Sequence, residues 1–305
     1  NKMIQKFKVS ESDINKRLDV FLNENLEDIS RSQISLLNEN KKIFVNQKVK
    51  KNGYKLCKDD EILIEIEPKK EFTFTPENIE LDIVYEDDDL AVINKPQGLC
   101  VHPSVKNEEH TLVNALTYKF KNLSDVNGSF RLGIVHRLDK DTSGLMIVAK
   151  NNKAHINLQK QIQTKTCKRK YLALVKGSFK QSEGTINKNL SRSKKNRLKI
   201  DVCADFEGRT AITNYKTIEI FKGYSLVEFE LKTGRTHQIR VHTAYMGHPI
   251  VGDKLYGVKD NFNLSGQLLT SYSLTLTQPS SGEILHFEIP LPPYFERILE
   301  KLRNK

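Results

Sequence analysis

Cysteine is scarce and scattered in this chain. Its four cysteines, Cys57, Cys100, Cys167 and Cys203, form no Cys-x-x-Cys pair. Neither a zinc site nor a disulfide framework fits that pattern. No His-Glu-x-x-His occurs, and His237 and His242 stand five residues apart, on different faces of any helix. No metal site is expected. No apolar run approaches the length of a membrane span, and the first residues carry no signal-peptide pattern. A cytoplasmic chain without a membrane partner is expected. A Walker loop and a dinucleotide fingerprint are both missing, so no cofactor is expected. Acidic charge is also short. The 38 Asp and Glu against 49 Lys and Arg leave a formal net charge of +11. An excess of this size favours a polyanionic partner, either nucleic acid or an anionic surface.

The 305 residues fit about two domains. The first segment reads as a small unit of its own. Ile14, Leu18, Phe21 and Leu22 recur at helical spacing. Ser30 reads as the N-cap of a second short helix that holds Ile34 and Leu37. Ile43-Phe44-Val45 reads as a strand, Asn46-Gln47 as a tight turn, and residues 61–66 as a closing strand. Lys41, Lys42, Lys48, Lys50, Lys51, Lys55 and Lys58 crowd this unit. A solvated lysine surface is the plain alternative, but such clustering favours an electrostatic footprint for phosphates.

The same segment resembles the α-L RNA-binding domain through Arg17-Leu18-Asp19, Ser30-Arg31-Ser32-Gln33, Val45-Asn46-Gln47-Lys48-Val49 and Asp59-Asp60-Glu61-Ile62. Gln47 stands where that domain usually has glycine. The resemblance implies RNA contacts from Arg17, Arg31, Lys48, Lys50 and Lys51.

Residues 67–78, with Pro68 and Pro76 around a charged run, read as a linker. The expected domains are therefore 1–66 and 79–305. In the second, strands are expected at 83–85, 90–94, 132–135, 145–149, 171–175, 210–220 and 224–231. Helices are expected at 111–121, 153–163 and after Thr233. Strands with a minority of helices predict an α+β domain around a mainly antiparallel mixed sheet, preceded by the small α/β unit.

The densest chemistry lies in His136-Arg137-Leu138-Asp139-Lys140-Asp141-Thr142-Ser143-Gly144. Apolar runs at 132–135 and 145–149 flank it, with turn chemistry at 141–144. A polar loop on a rigid scaffold is where folded proteins place reactive groups. A charged hairpin that uses Asp and Gly for turn geometry is the plain alternative.

That stretch, continued by Leu145-Met146-Ile147-Val148-Ala149-Lys150, resembles the signature of the RluA/RluD family of RNA pseudouridine synthases. Three more stretches match in the family's order. They are Val92-Ile93-Asn94-Lys95-Pro96-Gln97-Gly98-Leu99 with His102-Pro103, Lys170-Tyr171-Leu172-Ala173-Leu174-Val175-Lys176-Gly177, and Leu231-Lys232-Thr233-Gly234-Arg235-Thr236-His237-Gln238-Ile239-Arg240-Val241-His242. The segment Glu109-His110-Thr111-Leu112-Val113-Asn114-Ala115-Leu116 is most similar to the RluD-like branch. The resemblance implies isomerisation of uridines in large-subunit (23S) ribosomal RNA by a monomer with no obligate protein partner.

It also implies site roles. Asp139 is the catalytic carboxylate; attack on the ring, attack on the sugar and action as a base at the sugar all remain open. Arg240 is its cationic partner, with Arg235 as the runner-up and a phosphate as Arg235's other use. Tyr171 offers a face for a flipped uracil and a hydroxyl for proton movement. Without the family match it would read as a sheet-core tyrosine. Arg137, His136, Lys95 and His102 are expected to touch substrate, although the turn at 95–98 reads first as structural. The basic runs 165–170 and 192–199 are expected near RNA. The rival readings are a non-catalytic RNA-binding factor, a methyltransferase and a metal nuclease. The last two lack, respectively, a glycine-rich nucleotide loop and clustered carboxylates.

Overall fold

The computed structural model describes residues 3–26, 29, 31–66, 75–102, 109–128 and 131–304. Internal contacts group the chain into two compact units, 1–71 and 72–305.

In the first unit β1 (Met3–Lys8), β2 (Ile43–Val45) and β3 (Glu61–Ile66) form an antiparallel sheet in the order β1-β3-β2. Two helices, α1 (Leu18–Asn25) and α2 (Arg31–Glu39), bury Leu18, Phe21, Leu22 and Ile34 against Ile43, Val45, Ile62 and Ile64. The first helix begins later than its apolar spacing predicts. Asn15 takes a positive φ of 65°, which breaks the helical path, and leaves Ile14 exposed. Ser30, expected as an N-cap, lies outside the described residues. Asn46 and Gln47 adopt φ values of 48° and 63°, the left-handed pair that a two-residue hairpin loop requires. Gln47 thus holds a conformation that costs a residue with a Cβ roughly 1–2 kcal/mol. Asn46 offsets this by bonding Asp60 Oδ1 at 2.7 Å and accepting the Glu61 N–H at 2.9 Å. The edge strand β1 escapes the sequence pattern because Ile4 and Phe7 fall on opposite faces.

The second unit is built on a sheet with nine strands among the described residues. They are β4 (Asp82–Glu86), β5 (Leu90–Lys95), β6 (Ser143–Ala149), β7 (Lys168–Lys176), β8 (Glu183–Asn187), β11 (Ile212–Phe221), β12 (Tyr224–Leu231), β13 (Leu269–Thr277) and β14 (Ile284–Glu288). A separate two-stranded piece holds β9 (Leu190–Arg192) and β10 (Ile200–Val202). The main order is β4-β5-β6-β13-β7-β12-β11-β8, with β14 on β13. Only the β13–β6 pairing is parallel among the described strands. The mixed, mainly antiparallel sheet is thus as expected.

Each face of the sheet has its own core. Along β6, Met146 and Val148 pack with Leu112, Val113 and Leu116 of α3 (Leu112–Lys119) on one side. Leu145 and Ile147 pack with Leu158 of α4 (Asn152–Gln163) on the other. α6 (Pro293–Arg303) covers Leu174 and Leu226 with Phe295, Ile298 and Leu299. A strand buried on both faces reads as a continuous apolar run, as β6 does.

Three expectations are corrected. Residues 132–135 form a turn, not a strand. Gly133, at φ 71°, leaves its Cα against Val148 and Leu123, and Ile134 makes only an isolated bridge to Val148. Ser143 and Gly144 belong to β6, so the turn closes at Lys140 and Asp141. Residues 75–78 are bonded into the second unit. Asn114 donates to the Thr75 carbonyl at 3.0 Å, and Glu77 takes the His110 N–H at 2.8 Å. Residues 67–74 of the expected linker lie outside the described residues. No helix among the described residues is long and apolar enough to cross a membrane.

Candidate active site

The loop 136–142 is held from below by a lysine. Lys95 ends β5 with none of its surface exposed. Its ammonium donates to the carbonyls of Pro96 at 2.9 Å, Leu99 at 2.9 Å and Lys140 at 3.0 Å. Burial pushes its pKa down to about 8, against the pull of Asp141 and Asp139. Lys95 therefore ties two loops together and does not line the cavity, which corrects the expected substrate contact. Gln97 adds bonds to the carbonyls of Asp141 and Gln267, both at 3.1 Å. Gly144 lets β13 approach: a Cβ there would overlap the Ser271 carbonyl, and its φ of 115° suits only glycine.

Above this base lies a cavity of about 540 Å³, lined by His136, Arg137, Asp139, Arg169, Tyr171, Arg235, His237 and Arg240 among others. Asp139 Oδ2 accepts from Arg240 Nη1 at 2.9 Å. Its other oxygen, Oδ1, is 3.9 Å from His237 Nε2. Arg240 lies on α5 (Gln238–Tyr245), and its remaining donors fork onto Asp253, Nε to Oδ2 at 2.7 Å and Nη2 to Oδ1 at 3.0 Å. Asp253 Oδ1 also takes the backbone N–H groups of Leu255 and Tyr256. Burial alone would raise the Asp253 pKa, but Arg240 and these N–H groups hold it below the usual carboxylate range. Burial likewise opposes the charge on Arg240; Asp253 and Asp139 outweigh it and raise its pKa. The guanidinium is fixed in a plane between two carboxylates, with the Tyr256 ring 5.2 Å from its carbon.

His237 introduces α5 in the left-handed conformation, at φ 57°. Its Nδ1 is 2.9 Å from the Tyr256 hydroxyl, and burial lowers its pKa despite Asp139. Tyr171 is buried on β7, opposite Ser271 of β13. Burial raises its pKa, which keeps the hydroxyl protonated at neutral pH.

The other expected residues divide. Arg137 is exposed at the cavity with Nη1 3.4 Å from His102 Nε2. His102 stands behind it, outside the lining, with a pKa lowered to about 4 by burial and by Arg137. Pro103 lies outside the described residues. His136 lines the cavity, while its Nε2 accepts from the Ile147 N–H at 3.0 Å and so pins the loop to β6. Arg235 reaches the cavity but bonds the Thr210 carbonyl at 3.0 Å and makes no ion pair with Asp139. The geometry thus brings Asp139 to Arg240 rather than to Arg235. Lys165 lines the cavity, whereas 192–199 joins β9 to β10, with the Lys199 ammonium 5.7 Å over the Tyr256 ring.

In the first unit, Arg17 is turned onto Asp19, with Nε–Oδ1 at 2.9 Å and Nη2–Oδ2 at 3.1 Å, so part of its charge is already offset. Lys48 and Lys51 are exposed and Lys50 is half-buried; none forms an ion pair among the described residues. Lys42 and Lys58 are taken by Glu65 and Glu11. The Arg31 side chain lies outside the description.

Sequence reasoning missed Asp253 and Tyr256, and took Arg169 only as one member of the basic run 165–170. Gly252-Asp253 carries the signal of a turn, and an aspartate in a turn is ordinarily assigned to turn geometry. Here the same carboxylate both caps the turn and clamps Arg240.

Residues 89–245 match the family model described as RNA pseudouridylate synthase. The RNA pseudouridine synthase YlyB of Bacillus subtilis (strain 168) is 41% identical over 97% of this chain and 97% of its own length. Ribosomal large subunit pseudouridine synthase D of Neisseria meningitidis serogroup A is 41% identical over 94% of this chain and 79% of its own. Among solved structures, human RNA Pseudouridylate Synthase Domain Containing 1 shares the fold, with a TM-score of 0.57 and 24% identity over 79% of this chain and 98% of that one.

Proposed function

This chain belongs to the RluA/RluD family of RNA pseudouridine synthases, and from that premise we propose that it converts specific uridines of large-subunit (23S) ribosomal RNA to pseudouridine with Asp139 as the catalytic carboxylate. The reaction breaks the bond from C1′ to N1 and joins C1′ to C5. A proton leaves C5 and one is gained at N1, so no atom enters or leaves overall. Relatives named ribosomal large subunit pseudouridine synthase D support the substrate class.

The observation that carries the reading is the Asp139–Arg240 pair in the cavity. Arg240 anchors Oδ2, which leaves Oδ1 to act on the nucleotide. Arg240 is itself immobilised by Asp253, so the carboxylate is pre-positioned. Tyr171 offers its ring to the uracil and a protonated hydroxyl for proton movement. A uridine inside folded RNA reaches such a cavity only by leaving its stack. The exposed Lys48 and Lys51, with Lys50, supply the first unit's charge for RNA phosphates, as expected of an α-L RNA-binding domain. On this reading the protein acts in the cytoplasm as a monomer, with no cofactor.

The test is to map pseudouridines in ribosomal RNA from cells with and without the gene. Sites lost with the gene should return with the wild-type copy but not with Asp139→Asn, which keeps shape and RNA affinity while losing the charge. An unchanged large-subunit map would refute the substrate assignment. Single-turnover activity of the variant within about tenfold of wild type, or 1.4 kcal/mol, would remove Asp139 from the chemistry.

A further inference from the structure

Arg169 is a buried cation with no carboxylate paired to it among the described residues. It lies on β7 two residues before Tyr171, on the same face of the strand, and both side chains line the cavity. Only 5% of Arg169 is exposed. Its Nε is sealed from solvent without a hydrogen-bond partner, and its guanidinium makes no ion pair among the described residues. Arg240, buried to a similar degree, is bonded by two carboxylates. A guanidinium has five donors and no acceptor, and a buried charge without a partner is strongly unfavourable. Such an arrangement persists where a ligand supplies the counter-charge.

Two neighbours point the same way. His136 Nε2 accepts from Ile147, so the imidazole proton resides on Nδ1, and Nδ1 is also buried without a partner. The imidazole is close enough to Arg169 for its charge to add to burial in pushing the His136 pKa down to about 3. Gly234 leaves the guanidinium uncovered: a Cβ there would stand 3.2 Å from Arg169 Nη1. Its φ is not in the left-handed region, so the need at this position is space rather than backbone freedom.

We propose that Arg169 forms an anion subsite in the cavity that takes a phosphodiester oxygen of the target strand beside the flipped uridine. This inference deepens the function proposed above and rests on it. A uracil carbonyl carries only partial charge, whereas a phosphodiester carries the full charge that neutralises a guanidinium and matches its planar donors. The uracil on Tyr171 and the phosphate on Arg169 then divide one nucleotide between two positions of the same strand.

The probe is a short RNA containing one uridine that the wild-type protein converts, prepared also with a neutral methylphosphonate at each phosphate flanking that uridine. Neutralising one of them should raise Kd and KM of the wild type by about tenfold, the scale of a charged hydrogen bond. Arg169→Gln should show the same rise with a smaller change in kcat, and the same methylphosphonate should then add little. Arg169→Lys should recover part of the affinity. Gly234→Ala, which crowds the guanidinium from outside, should reproduce the loss in a protein with Arg169 intact. A wild type indifferent to every flanking phosphate would overturn the subsite, even if Arg169→Gln failed to fold. Penalties that multiply at every phosphate would overturn it too, as would a fall in kcat at unchanged KM, which would place Arg169 at the base. If the wild type converts no uridine in any RNA, the functional reading falls first and takes the subsite with it.

Discussion

At the scale of single residues, the site depends on charges that are held rather than free. Arg240 serves two carboxylates, so Arg240→Ala leaves Asp253 buried without its counter-ion and Asp139 without its anchor. Removing one member of a buried pair costs on the order of 3–5 kcal/mol. We expect a lower melting temperature and loss of turnover together; an unchanged melting temperature and rate would return Arg235 to consideration as the partner. Lys95 gives a prediction in pH. Its pKa in the folded chain is about 8, against 10.5 when unfolded. Between those values the unfolded chain binds more protons, so stability rises with pH in that window. Below about 8 the penalty for burying the charge is felt in full. The unfolding free energy of the wild type relative to Lys95→Met should therefore increase from pH 8 to pH 10, as read by denaturant titration. A flat difference would mean that the three carbonyls hold the ammonium charged throughout.

At the scale of elements, the parallel contact between β6 and β13 sets where the loop that carries Asp139 ends. Ser143 and Gly144 pair with Thr270 and Ser271, and Ser143 Oγ lies 2.9 Å from Thr270 Oγ1. Gly144 combines a glycine-only φ with direct contact on the Ser271 backbone, so Gly144→Ala must move one strand. Overpacking of this kind typically costs about 1–3 kcal/mol, and the strained backbone adds to it. Thermal unfolding of Gly144→Ala should show a clear loss of stability with a larger loss of activity, because Asp139 and Tyr171 lie on the two sides of that seam. Wild-type melting in this variant would show that the seam can relax. The helical and strand periodicities that placed β5, β7, β12 and α4 within a few residues were local signals. They failed for β13, whose run Leu269-Thr270-Ser271-Tyr272-Ser273 looks polar although Thr270, Ser271 and Ser273 are buried. They also failed for 132–135, where Gly133 turns an apolar run out of the sheet.

At the scale of the whole molecule, the two units invite separation. Removing residues 1–71 leaves intact the sheet, the cavity and every residue proposed to act on the nucleotide. The remaining chain should fold cooperatively and still convert a short RNA at saturating concentration. Its affinity for structured ribosomal RNA should fall, with a shallower salt dependence. Each phosphate neutralised contributes a slope of about 0.9 on duplex or 0.7 on single-stranded RNA. Binding of the full and shortened proteins across a salt series reads the difference directly. Equal slopes would mean that Lys48, Lys50 and Lys51 face solvent and the second unit holds RNA alone.

The sequence by itself determined the division into two units, the lysine cluster of the first, the α+β class of the second and the loop that carries Asp139. These are written in contiguous patterns: periodicity, turn residues, charge runs and the motifs around Asp139, Tyr171 and Arg240. Only the tertiary structure decided which groups complete the site. Asp139 and Arg240 are 101 residues apart, and their contact depends on the sheet bringing a loop and a helix together. Asp253 became the clamp on Arg240 because its turn closes beneath α5, and Lys95 became a buried tie because its ammonium meets three carbonyls from two loops. Arg169 reads in sequence as one more member of a basic run. Burial without a counter-charge is a property of the packed surroundings, and no local pattern records it.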